Sequence, residues 1–456
     1  MLGQAGTLIK RLRAELDRSI FRAATPQKLK LNGWEAAVVL VAFLVLASVA
    51  QLFRIGPSTA LNSLWAEDGA VFLGWATSHN FFDAVTMTHG EYLVVVPRLI
   101  AELGTAVPLH DAAIAMNLAT VFIIALSGLA VWFAAAGHIR SPYLRALLVA
   151  LMILCPVSSI EAIASPTNVA WYMAFAVFWL LLWRPATTWG ACLGGLLILA
   201  TGLSTPATLF FLPIAVLRAV AIRDRRDALV VGAFALGVAI QVPATMLSDE
   251  QLPGSVWSRH IITALLQRVV DSSVLGLELG GSTWADWGWP FLIAIVAGAA
   301  VFLVVMALRA GSGRLVAAIA VATSVAMFMA SAYVRAPLGD FMVWRTDEYT
   351  TLGGRYAMIP ALLLISAALV LVDSRWRSSR GRPVAAIATA AVLLVALVTS
   401  FDARGEIGRG GPPWDESLHT ATAQCEAKDL AEVPVATAPE GWTMLIACDR
   451  LVSGNS

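Results

Sequence analysis

Eleven stretches of this 456-residue chain are long and apolar enough to cross, or nearly cross, a lipid bilayer. They run over 34–53, 112–136, 145–164, 168–183, 187–203, 205–221, 228–247, 289–308, 315–334, 356–373 and 384–400. A hydrocarbon core about 30 Å thick takes roughly 20 apolar residues per helix. Backbone groups in lipid find no water to pair with, so each stretch must be helical. Composition removes the soluble alternative. The chain is 59% hydrophobic and 13% charged, where a soluble chain carries about 25% charged residues. So few charges cannot coat so much apolar side chain. Such a composition also excludes a disordered chain, and a net charge of +1 argues against a nucleic-acid binder. The expected fold is therefore all-α, a polytopic transmembrane helical bundle of about eleven spans.

Two segments fall outside that pattern. Residues 91–109 contain Arg98, Glu102 and two prolines, which suits an interfacial or re-entrant helix in the first long loop better than a span. Residues 1–33 are basic, with apolar residues at helical spacing, and read as a cytoplasmic amphipathic helix resting on the anionic leaflet. They are too charged for a cleavable signal peptide. The organisation expected is thus 1–33 as a cytoplasmic basic segment, 34–400 as the membrane domain, and 401–456 as a small extracytoplasmic tail.

Charge sets the expected orientation, because Lys and Arg accumulate in cytoplasmic loops. With the N-terminus inside, 20 of the 31 basic residues and 6 of the 30 acids fall on the inner side. That side carries +14 and the outer side −13, and each inner loop is basic. The pattern predicts N-in and C-out. Cys425 and Cys448 then lie together in the outer tail, where oxidising conditions permit a disulfide. Cys155 and Cys192 fall in or near spans as packing residues. No Cys or His sits at metal-ligand spacing, so no metal centre is expected. Walker, H-E-x-x-H and G-x-S-x-G patterns are absent as well.

The inner loops are short, so chemistry is expected at the outer face. The first outer loop opens with Trp65-Ala66-Glu67-Asp68-Gly69, then His89-Gly90-Glu91-Tyr92 and Pro97-Arg98-Leu99. Adjacent carboxylates point in different directions, so one can act as a base while the other orients a group or a cation. A later loop carries Arg345 and Gly353-Gly354-Arg355-Tyr356. Outward arginines run against the positive-inside bias, and a guanidinium is a forked donor for phosphate oxygens. Snorkelling is the plainer account of Arg355. The glycines before it would let backbone approach a ligand closely. Loop 248–288 is rich in Trp, which serves as an interfacial belt or, alternatively, stacks on sugar rings.

The acidic pair after the first span, in a large outer loop, resembles the GT-C superfamily of integral-membrane glycosyltransferases. Glu67-Asp68, Gly90-Glu91-Tyr92-Leu93, Pro97-Arg98-Leu99 and Gly353-Gly354-Arg355-Tyr356 are similar to motifs in a group of bacterial GT-C-like membrane proteins. The resemblance implies transfer of a sugar from a polyprenyl-phosphate donor to a glycan or lipid acceptor of the cell envelope. It places the enzyme in the bacterial plasma (inner) membrane with its active side extracytoplasmic. Glu67 and Asp68 would be catalytic. Arg98, Arg345 and Arg355 would bind the donor phosphate. His89, Tyr92, Asn168, Trp171 and Tyr356 would contact substrate, although capping and belt packing also explain Asn168 and Trp171. No cofactor is implied, and the carboxylates leave room for a divalent cation. Unlike many GT-C enzymes, the chain shows no large soluble C-terminal domain. Two other classes fit the same composition: a multi-pass transporter or lipid flippase, and a non-catalytic envelope-assembly protein.

Overall fold

The computed structural model describes residues 13–22, 32–248, 260–310, 313–334, 343–344, 353–378, 383–403, 411–428 and 430–453. Their organisation is helical. Among the described residues six helices are long and apolar enough to cross a membrane, and five shorter apolar helices of 10–17 residues accompany them. Each of the eleven stretches expected from the sequence overlaps one of these helices. The chain is a multi-pass membrane protein.

Helix α1 (Gly33–Ile55) is followed by the first long loop. That loop holds a hairpin of β1 (Thr88–His89) and β2 (Tyr92–Leu93), then α2 (Val95–Thr105). The membrane helices continue as α3 (Ala112–Ala134), α4 (Pro142–Ile153), α5 (Val169–Leu182), α6 (Thr188–Gly202), α7 (Leu212–Val220) and α8 (Arg225–Met246). They end with α9 (Leu277–Arg309), α10 (Arg314–Val334), α11 (Arg355–Ser378) and α12 (Val384–Thr399). A C-terminal unit closes the chain: α13 (Trp414–Lys428), β3 (Glu432–Thr437), β4 (Trp442–Ala447) and α14 (Cys448–Ser453).

Local chemistry sets several boundaries. Asn32 and Glu35 form a reciprocal capping box at the start of α1, each side chain accepting from the other's backbone N–H at 2.9 Å. Asp224 caps α8 through the N–H groups of Arg226 and Asp227. Within α9, Gly288 has φ +55° and Pro290 follows two residues later, so the helix kinks there. Helices α5 and α11 are buried nearly all round and form the centre of the bundle, whereas α1 and α9 leave most of their apolar surface exposed.

The structure departs from the sequence reading at three places. The expected span 145–164 is α-helical only to Ile153; beyond it the backbone is irregular and largely buried, with one 3-10 turn over Ile160–Ala162. Pro156 has no N–H and disfavours helix at the residue before it; its carbonyl accepts instead from Leu277 N–H at 2.9 Å. The all-α expectation misses both hairpins. Over residues 13–22 of the basic segment, the apolar side chains of Leu16, Ile20 and Phe21 are buried in the main core, where a leaflet-facing surface was expected. The 91–109 segment, expected as a helix in the first long loop, does form one, α2, with Val96, Arg98, Ile100 and Ala101 turned into the protein and Leu99 and Leu103 exposed.

The bundle has two polar ends. Helix α3 with its flanking turns begins at Leu109, whose carbonyl accepts from the Trp414 indole, and ends at Gly137, packed on the Arg22 backbone. Its 23 residues separate those ends by roughly 35 Å at 1.5 Å per residue. One end, the basic pole, holds an ionic network. Arg184 bridges Asp17 and Asp227, Arg218 reaches Asp227 at 3.0 Å, and Arg223 reaches Asp17 at 2.5 Å. The other, the acidic pole, holds the first loop and the C-terminal unit.

Candidate functional site

The acidic pair opens a π-helical turn over Asp68–Leu73. Ala66, just before it, has φ +36°, a left-handed conformation that costs a non-glycine residue about 1–2 kcal/mol. Asp68 is fully buried. Its Oδ1 accepts from the Thr167 N–H at 2.7 Å and from the Thr167 hydroxyl at 2.5 Å. Its Oδ2 makes no hydrogen bond. Burial pushes the Asp68 carboxyl up to about 7, helped by neighbouring Glu67, while the hydroxyls of Thr167 and Ser165 and the Thr167 amide act the other way. A carboxyl that titrates near neutrality can take up and release a proton during a reaction. Glu67 is half-buried.

The partner segment is the irregular backbone after α4. There too a non-glycine residue is left-handed, Ala164 at φ +50°. Asn168 Nδ2 donates to the Glu161 carbonyl at 2.9 Å and to Ser165 Oγ at 3.2 Å, so this amide ties the loop to itself. Asn168 is fully buried. It shares that burial with Asp68, and its side chain does not cap α5.

Arg355 opens α11 opposite this loop. Gly353 has φ +77°, and a Cβ on Gly354 would lie 2.9 Å from the Val157 carbonyl and 3.2 Å from the Ser159 nitrogen. The glycines thus serve a close approach of backbone to backbone, where the sequence reading assigned them to a ligand. The approach brings Arg355 N–H to Glu161 Oε1 at 3.3 Å. The guanidinium is half-buried, stacks 5.2 Å from the Tyr356 ring centre, and feels the charges of Glu161 and Glu67. Tyr356 meets Trp171 edge to face at 5.4 Å, and Trp171 lies four residues beyond Thr167. Asp68, Thr167, Trp171, Tyr356, Arg355, Glu161 and Glu67 therefore form one connected cluster.

Beside it lies a mostly apolar cavity of about 410 Å³. Tyr92, Trp171 and Tyr356 line it, with Phe210 and Leu209 on its apolar side and Glu91 as its one charged lining residue. Glu91 sits in the β1–β2 turn at φ +74°.

Other expected residues lie elsewhere. Arg98 is buried and does not line the cavity. It donates to the Thr88 carbonyl at 3.2 Å and lies over the Phe72 ring at 5.3 Å. His89 meets the same ring edge to face at 5.6 Å. These contacts hold the hairpin against the π-turn. Arg345 lies outside the described residues. Cys425 and Cys448 form a disulfide with Cα atoms 5.6 Å apart. Among the described residues no cluster of three or more His, Cys, Asp or Glu side chains is placed to hold a metal ion. Sequence reasoning missed Thr167, Glu161 and Glu91 as members of the site. Glu161 gave a signal, as an acid within a stretch read as a span; the other two acids in such stretches, Glu35 and Asp373, lie at or next to a stretch's end.

No protein-family model matches the chain, and no curated protein matches it. Among solved structures it is similar to the cryo-EM structure of arabinofuranosyltransferase AftD from mycobacteria, at 13% identity and a TM-score of 0.43. The match covers 91% of this chain and 30% of that one, so the chain spans about a third of that protein's length.

Proposed function

We propose that the chain is a membrane glycosyltransferase that moves a sugar from a polyprenyl-phosphate donor to a cell-envelope acceptor. The observation that carries the reading is the buried Asp68 carboxylate: one oxygen fixed by Thr167, the other without a hydrogen bond, and an aromatic cavity beside the cluster it belongs to. In this reading Asp68 Oδ2 takes the proton of an acceptor hydroxyl as that oxygen attacks the anomeric carbon. The anomeric carbon–phosphate oxygen bond breaks, the configuration inverts, and polyprenyl phosphate leaves. Arg355 donates to the phosphate as its charge grows. Glu67 shares the Arg355 field and sets its orientation. Tyr92, Trp171 and Tyr356 offer ring faces to the sugar, and Leu209 and Phe210 offer apolar wall to the lipid. In this reading the acidic pole faces away from the cytoplasm, which the positive-inside bias supports.

The test is transfer by the full chain in lipid vesicles, from a short-chain polyprenyl-phosphate sugar to an envelope glycan. D68N should lower the rate by about 10²–10⁴, the range for a lost general base, and E67Q by less. Full transfer by both folded variants would refute the catalytic assignment. Donor movement across the vesicle without sugar transfer would favour the transporter reading. Envelope function surviving both substitutions would favour an assembly protein.

A further inference from the structure

The C-terminal unit grips the acidic segment at three successive points. At the first, Asn62 Nδ2 donates to Asp415 Oδ1 at 2.7 Å, the Asp415 N–H returns to Asn62 Oδ1 at 3.1 Å, and the Trp414 N–H reaches the Asn62 carbonyl at 2.9 Å. At the second, Trp65 and Ala438 form a single parallel β-bridge: Ala438 N–H donates to the Leu64 carbonyl at 3.0 Å, and Ala66 N–H donates to the Ala438 carbonyl. At the third, Gly69 lies under Thr437 and Gly74 against Met444. The Trp414 indole also holds Leu109, where the first long loop ends. The unit itself is closed by Cys425–Cys448 and by Cys448 N–H donating to the Ala431 carbonyl at 2.9 Å.

Ala66 is left-handed, and a lone alanine relaxes from that conformation unless its surroundings hold it. Its N–H is held by Ala438, one residue beyond the strand that carries Thr437. We propose that the disulfide-closed C-terminal unit is a positioning element, whose docking through Thr437 and Ala438 holds Ala66–Gly69 in the turn that buries Asp68 against Thr167. The unit touches Asp68 through the backbone of its neighbours and takes no part in the chemistry. Part of the claim rests on the reading of Asp68 as the reactive group, and part does not.

Size complementation separates the two. A Cβ on Gly69 would lie 2.5 Å from Thr437 Cγ2, with Thr437 Cβ at 3.2 Å. Thr437 Oγ1 has no hydrogen-bond partner, so T437A removes the nearest obstruction, Cγ2, without breaking a hydrogen bond; the Cβ atoms of residue 437 and of Leu64, at 3.2 and 3.3 Å, ask for a shift of only a few tenths of an ångström. In the full chain in vesicles, G69A should raise hydrogen exchange of 62–74 by about tenfold or more, while α5 and α11 stay protected. G69A/T437A should bring that exchange back to within about threefold of the native chain. C425S/C448S should raise exchange over the same segment. Unchanged exchange in G69A or in C425S/C448S, or a double variant no better than G69A, overturns the proposal. The second readout is transfer: G69A should lower kcat with donor KM nearly unchanged, and T437A should restore kcat in the double variant. If D68N transfers normally, the transferase reading fails while the exchange results still decide the clamp.

Discussion

Two buried aspartates at opposite ends of the bundle meet opposite treatment. Asp227 at the basic pole has both carboxylate oxygens occupied: Oδ1 by Arg218, and Oδ2 by Arg184 and the Arg223 N–H. Asp17 beside it is paired with Arg184 and Arg223. Asp68 at the acidic pole has one oxygen on Thr167 and the other on nothing, and left-handed alanines stand on both segments that enclose it. A buried charge left partly unmet costs folding free energy. The basic pole reads as a fastening for the N-terminal segment and helices α7 and α8. The acidic pole holds an arrangement that is unfavourable on its own, which the rest of the fold keeps in place, as reactive centres do.

The contrast can be broken most decisively at Asp227. D227A leaves Arg218 and Arg184 buried without their partner and should cost about 3–5 kcal/mol. Thermal unfolding in detergent should show a large fall in Tm; a native Tm would mean that the network fastens nothing.

Asp68 should behave in the reverse sense. Its folded pKa lies near 7, above its ordinary 3.8, so the folded state holds the proton more tightly than the unfolded one. Stability from this group is full below about 4 and is lost as pH rises toward 7. D68N should therefore be the more stable protein at pH 8, by on the order of 1–4 kcal/mol at 1.36 kcal/mol per unit. The advantage should shrink as pH falls to 4. Unfolding measured at both pH values checks the sign, and a D68N less stable at pH 8 would contradict it.

A charge-preserving change sharpens the site further. R355K keeps the cation and loses the planar fork. Donor KM should rise about tenfold, and thermal stability should change little, because the Arg355 backbone contact to Glu161 remains. The smallest effect is expected at Ala164. A164G relieves a left-handed alanine and should stabilise by about 0.5–1 kcal/mol. A destabilised A164G would show that no strain resides there.

Much of this molecule was legible in the sequence because apolar runs have one solution in lipid. Each of the eleven runs overlaps an apolar helix. The run over 145–164 misled because its hydropathy carried through Pro156, although the proline and Glu161 mark where the helix stops. The hairpin of the C-terminal unit also left a trace, since Val433 and Val435 alternate inward with Met444 and Ile446. The strands are six residues each, too short to stand out beside spans. At the site, Glu67, Asp68 and Arg355 stood out as charges away from basic loops. Arg98 stood out for the same reason, and the structure sets it against the Phe72 ring and the Thr88 carbonyl. Thr167 could not be found, because its role comes from a contact 99 residues along the chain. Nothing local distinguishes a threonine that holds a carboxylate from one that caps a turn.

The pH dependence of kcat/KM for sugar transfer tests the central claim most directly. If Asp68 is the base, the profile rises through about pH 7 and levels once the carboxyl is ionised. D68N should abolish that rise along with most of the rate. A native profile in D68N, or a rate flat across that range in both proteins, would contradict the account.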